Sequence, residues 1–131
     1  MNKATEFLKN CGTFYLGTVE GEQPRVRPFG AVSEINGKVY ICTNNTKPVF
    51  KQMKENPKVE ICGFAADGTW IRIAAKAIPD PDRDVKAAML NEIPALSGMY
   101  SVDDGIFEVL YLGDATATIS SFAGAPDTFT F

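Results

Sequence analysis

The 131-residue sequence contains no histidine. That absence excludes Ser-His-Asp and Cys-His nucleophilic catalysis, histidine-bound zinc and histidine-ligated haem. Chemistry on this chain therefore falls to a cofactor rather than to a side-chain nucleophile. Cysteine is scarce: Cys11, Cys42 and Cys62 are odd in number, far apart and never in a CxxC pair. They fit neither a disulfide framework nor a zinc site, and their apolar contexts predict reduced, buried thiols. No metal site is expected. No apolar run approaches bilayer length, and Met1-Asn2-Lys3-Ala4-Thr5-Glu6 lacks the apolar core of a secretory signal. A cytoplasmic protein with no membrane partner is the expectation. The formal net charge of −3 argues against a general affinity for nucleic acid, so basic residues act locally.

What is present is ordinary globular material: 45% hydrophobic and 22% charged residues. At this length the expectation is one domain over residues 1–131 with one main core. Ala4, Phe7, Leu8 and Cys11 fall at helical spacing, and Gly12 closes that helix. Residues 13–19 read as a strand, turning at 20–23 into a second strand from Pro24 to Phe29. Pro24 and Pro28 restrict that second strand to an edge or a bulge. Asn36-Gly37, between two alternating apolar runs, is the strongest hairpin signal.

Thr46 is placed to cap a helix running to Glu55, which Asn56-Pro57 stops. Strands are expected over residues 59–64 and 69–77, then a helix after Pro79-Asp80-Pro81-Asp82, with residues 91–104 irregular. A strand at 106–112, a possible further one at 115–119 and an unstructured end complete the reading. The fold class is mainly β: a six- or seven-stranded antiparallel barrel with short flanking helices. Phe14, Phe50, Phe64 and Phe107 are expected in its core.

In a strand, Arg25, Arg27 and Phe29 share one face while Val26 and Pro28 occupy the other. Guanidiniums on an inward face require anionic partners, so a negative group is expected to complete it. A capped helix start at Thr46 to Pro48 exposes free N–H groups to a phosphate, with Lys47 beside it. Lys51 and Lys54 continue the i, i+4, i+7 stripe as a wet helix face. These residue types describe a pocket for one phosphorylated aromatic molecule. The competing interpretation is a barrel that binds oligonucleotides, against which the acidic net charge weighs.

The order of parts, with Arg25-Val26-Arg27-Pro28-Phe29, Tyr40-Ile41-Cys42-Thr43-Asn44, Thr46-Lys47-Pro48 and Asn56-Pro57-Lys58-Val59, resembles the flavin-binding split barrels related to pyridoxamine 5′-phosphate oxidase. The likeness spans roughly residues 3 to 113 through loose motifs. It implies a split β-barrel, an FMN cofactor in a groove between two protomers, and a homodimer. It implies Arg25, Val26, Arg27 and Pro28 along the flavin ring and ribityl chain. Thr43, Asn44 and Lys47 would hold the phosphate, and Gln52 would reach the ring edge. The family's substrate-gripping C-terminal arginine and histidine are missing after Tyr111, so the implied activity is a flavin-dependent reductase for a small electron acceptor rather than a true pyridoxamine-phosphate oxidase. A non-catalytic carrier or redox sensor of flavin or of the deazaflavin F420 is the alternative. No catalytic residue is assigned.

Overall fold

Along Lys58–Phe64 the side chains alternate strictly, with Val59, Ile61 and Gly63 buried and Lys58, Glu60, Cys62 and Phe64 exposed. This is the signature of a strand with one wet face. The computed structural model describes residues 1–131, and its elements follow the chain in a simple order. Helix α1 (Lys3–Cys11) leads into strands β1 (Phe14–Glu20), β2 (Gln23–Phe29), β3 (Val32–Ile35) and β4 (Lys38–Asn44). Helix α2 (Pro48–Glu55) is followed by β5 (Lys58–Phe64) and β6 (Trp70–Asp80). Helices α3 (Arg83–Glu92) and α4 (Pro94–Ser97), then β7 (Phe107–Ser120) and β8 (Asp127–Thr130), complete the chain.

The strands form one antiparallel sheet in the order β2-β1-β5-β6-β7-β4-β3, with β8 added to β7. The end strands β2 and β3 are joined by Gly30 and Ala31 alone. Two residues span well under one strand length, so the sheet must curl until its ends meet. The result is a split barrel, mainly β with short flanking helices. A register shift between Ala74 and Lys76 marks the bend in β6, whose two halves pair with the two halves of β7. Asn36 and Gly37 both take positive φ, 53° and 76°, in the β3–β4 turn, as the hairpin signal requires.

Two apolar layers result. Phe14, Leu16, Ile41, Ile61, Ile71 and Ile73 fill the barrel, with Met53 and Phe50 of α2 among them. On the opposite face of β4 and β7, Tyr40, Cys42, Phe107 and Val109 are covered by Val85, Met89, Leu90 and Leu96 from α3 and α4. Helix α1 is fastened by a carboxylate: Glu34 Oε1 accepts from the Asn2 N–H at 2.8 Å and the Thr5 hydroxyl at 2.9 Å. The Asn2 N–H, more than any other neighbour, holds the Glu34 carboxyl below its usual range. That contribution is complete above the ordinary glutamate value of about 4.3 and is lost as pH falls through the lower folded value. Glu34→Gln is expected to lower the melting temperature at pH 7, with the gap to wild type closing in acid. Melting curves from pH 7 down to pH 3 check this.

Several expectations are corrected. The sheet has eight strands, because the tail read as featureless forms β8. Ala115 and Phe131 exchange backbone hydrogen bonds of 3.0 Å, and Phe129 and Phe131 pack on the barrel core. Strand β6 continues through Pro79 to Asp80, so only Asp82 caps α3, accepting from Asp84 N–H at 2.9 Å. Residues 94–97, read as irregular, are helical. Thr46 does not cap α2; the N-cap residue is Lys47, and the Thr46 hydroxyl bonds Asn44 Oδ1 at 2.5 Å. Phe64 is 61% exposed rather than core, because it falls on the outward phase of β5. Cys62 is exposed for the same reason, Cys11 at the end of α1 is intermediate, and only Cys42 is a buried thiol.

No helix is long and apolar enough to cross a membrane, and no cluster of acidic, cysteine or histidine residues could hold a metal ion.

Candidate functional site

Arg27 opposes Leu16 across the β1–β2 ladder, one step from the inward pair Phe14 and Phe29. Its side chain therefore starts on the apolar face and has to be satisfied there. Its guanidinium donates to Thr18 Oγ at 2.7 Å, to Gln52 Oε1 at 2.6 Å and to the Leu16 carbonyl at 3.3 Å. Thr18 itself donates to Gln52 Oε1 at 2.6 Å. Partial burial lowers the Arg27 pKa, and the Arg25 charge adds to that effect. Arg25, further out on the same face, pairs with Glu20 at 3.0 Å. The expected negative group thus comes partly from within, since Glu20 meets Arg25 while Arg27 is held by neutral acceptors.

Arg27 opens onto a cavity of about 380 Å³, within the range typical of small-molecule sites. One wall is the β2–β3 link, Pro28 through Ala31. The base is Cys42 and Thr43 at the end of β4, where Lys47 and Val49 bring in the start of α2. The far wall comes from Ile93, Ala95, Leu96, Met99 and Tyr100. Nine of the fourteen lining residues are hydrophobic, so a bound molecule is largely desolvated. Lys47 makes no ion pair with any carboxylate of the chain. It sits at an α2 terminus that has no side-chain cap and a proline in its first turn. Burial pushes the Cys42 thiol up to about 11 against the opposing pull of Lys47, so it stays protonated and unreactive at neutral pH.

The far wall is anchored at several points. Ser97 Oγ donates to the Leu90 carbonyl at 3.0 Å, and Asp104 accepts from the N–H groups of Ser101, Ile106 and Phe107. The Tyr100 ring packs on Phe107 with centroids 5.1 Å apart. Asn44 Nδ2 lies 2.9 Å from the Tyr100 oxygen.

Of the residues singled out in the sequence, Arg27, Pro28, Thr43 and Lys47 meet at this cavity. Arg25, Val26, Asn44 and Gln52 do not line it. Val26 faces outward at 72% exposure, while Asn44 and Gln52 are buried behind the lining residues they hydrogen-bond. Helix α4 falls in the stretch expected to be irregular, so Ile93, Ala95, Leu96 and Met99 are not among the residues expected at the site. Its signal was the proline at 94 followed by Leu96, Met99 and Tyr100 at helical spacing, hidden inside a stretch with few other helix formers.

The split barrel and this cleft at its seam define a class. The chain belongs to the family described as pyridoxamine 5′-phosphate oxidase, which matches residues 1–110. It is similar to a NimC/NimA family protein from Clostridium acetobutylicum, with 56% identity, 98% of this chain and 90% of that one covered, and a TM-score of 0.97. A protein from the same organism related to general stress protein 26, of the pyridoxinephosphate oxidase family, has 15% identity over 98% and 92% of the two chains, with a TM-score of 0.75. PhzG from Burkholderia lata 383, solved with tetrahydrophenazine-1-carboxylic acid, has 16% identity over 93% and 82%, with a TM-score of 0.60. The two distant likenesses bear on fold alone. No curated protein matches the chain.

Proposed function

We propose that the protein is a homodimeric FMN-binding flavoprotein that reduces a small electron acceptor. The observation that carries this reading is the convergence of Lys47, Arg27 and the uncapped α2 terminus on one apolar-walled cavity. A phosphate suits that helix terminus, because its first N–H groups lack intrahelical acceptors and its dipole end is positive. A flat heterocycle suits the walls formed by Pro28, Val49 and Ile93. FMN, when bound, supplies the hydride chemistry that a chain without histidine cannot perform alone.

The chain's own residues divide the remaining work. Lys47 and the Thr43 hydroxyl bind the phosphate. Arg27, locked by Thr18 and Gln52, holds a fixed positive charge toward the ring and favours negative charge there without reorganising. Leu96 and Met99 exclude water. Dimerisation is supported by the outer face of β1, β2 and β5, where Tyr15, Val26 and Phe64 are 50%, 72% and 61% exposed and lie on one side of the sheet. Such a patch on a monomer marks an interaction surface, and a two-fold pairing covers it on both copies.

The test is an absorption spectrum of the purified protein and the mass of any chromophore released on denaturation, followed by NADH and NADPH oxidation with added acceptors. FMN in the released fraction with acceptor-dependent turnover is the expected result. A chromophore that stays oxidised with every donor leaves a carrier or sensor, and a deazaflavin mass replaces FMN by F420.

A further inference from the structure

Tyr100 is the one far-wall residue with a polar side chain, and its neighbours fix the direction of its hydroxyl's hydrogen bond. Asn44 Oδ1 lies 3.1 Å from the Thr46 backbone nitrogen, which can only donate. The Thr46 hydroxyl donates to the same oxygen. The carboxamide is therefore fixed with Oδ1 toward Thr46 and Nδ2 toward Tyr100. Since an amide nitrogen only donates, the Tyr100 oxygen is the acceptor of that 2.9 Å bond. Its own proton remains uncommitted, and no other protein group accepts it. The ring packs on Phe107, and the residue lines the cavity.

We infer that Tyr100 is the recognition donor for the molecule that shares this cavity, and that its substrate class is a flat, mostly apolar compound carrying one exposed oxygen acceptor, an aryl ketone or quinone carbonyl. This rests on the flavoprotein reading and adds the acceptor's chemistry to it. Leu96 and Met99 give such a compound its apolar contacts, and the phenol gives it orientation. A donor facing a largely apolar pocket discriminates strongly, because a ligand without a lone pair leaves that donor unpaired.

The test compares acetophenone with α-methylstyrene, which has nearly the same shape but a methylene in place of the carbonyl oxygen. Binding to the purified protein, with FMN present at saturation and without it, is followed by ligand-observed NMR titration. Tyr100→Phe keeps the stack on Phe107 and removes the hydroxyl. It is expected to weaken acetophenone about tenfold and α-methylstyrene less than about twofold, the size of one net hydrogen bond. Met99→Ala is expected to weaken both probes alike. Equal effects of Tyr100→Phe on the two probes, or no binding of acetophenone by the wild type, would overturn the assignment. Failure of FMN to bind would remove the flavoprotein reading but leave the ketone result standing, since the titration without FMN reads Tyr100 directly.

Discussion

Lys47→Ala is expected to lower FMN affinity by roughly 10- to 150-fold, while the affinity for riboflavin, which lacks the phosphate, is expected to fall by less than about twofold. The range follows from a hydrogen bond to a charged group, about 1.5–3 kcal/mol, converted at about 1.4 kcal/mol per decade. Two features place the effect at the upper part of that range. Lys47 has no carboxylate partner within the chain, so no internal salt bridge competes for it. The α2 terminus beside it has no side-chain cap, so a phosphate bound there would meet helix N–H groups that no side chain covers. Fluorescence titration of both flavins against wild type and variant checks the result. A similar loss for both ligands would move the phosphate away from α2.

The second large effect is on stability. Phe14→Ala is expected to destabilise the fold by about 3–5 kcal/mol. Phe14 is fully buried, and its ring lies 6.3 Å from that of Phe29. The next inward-facing rung pairs Leu16 with Arg27, so loss of the ring loosens the wall that begins at Phe29. Little repacking is available, because both flanking strands of β1 are paired along this stretch. Chemical denaturation followed by tryptophan fluorescence reads the change, with the midpoint moving and the slope unchanged.

The parts of the fold legible in the sequence were those fixed locally. Asn36-Gly37 dictates a tight hairpin through its positive φ values, and Gly12 at φ 75° stops α1 whatever packs around it. The strict alternation of β5 likewise declares its inward face, although reading Phe64 as core ignored that phase. Strand β8 was not legible, because Asp127–Thr130 follows Gly124-Ala125-Pro126 and becomes a strand only when β7 offers it an edge. At the cavity, charge marks Arg27 and Lys47 in the sequence, whereas Pro28 and Thr43 are expected there only through the family resemblance. The sequence could not reveal that Arg25 is spoken for by Glu20, since residues 20 and 25 meet only through the β1–β2 turn. Asn44 and Gln52, expected at the ligand through the resemblance, are buried, and each bonds a residue that lines the cavity. The four-residue α4 leaves only a faint local pattern, and the contact that seats this wall, residue 100 meeting residue 44, is long-range.

Gly30 and Ala31 join strands from the two ends of the sheet, and this link forms one wall of the cleft. At that seam the halves of the barrel are connected by covalent bonds and not by a ladder. Moving β2 relative to β3 there turns the backbone dihedrals of two residues and breaks no interstrand pairing. A change of width at this recess would therefore leave every rung of the sheet closed.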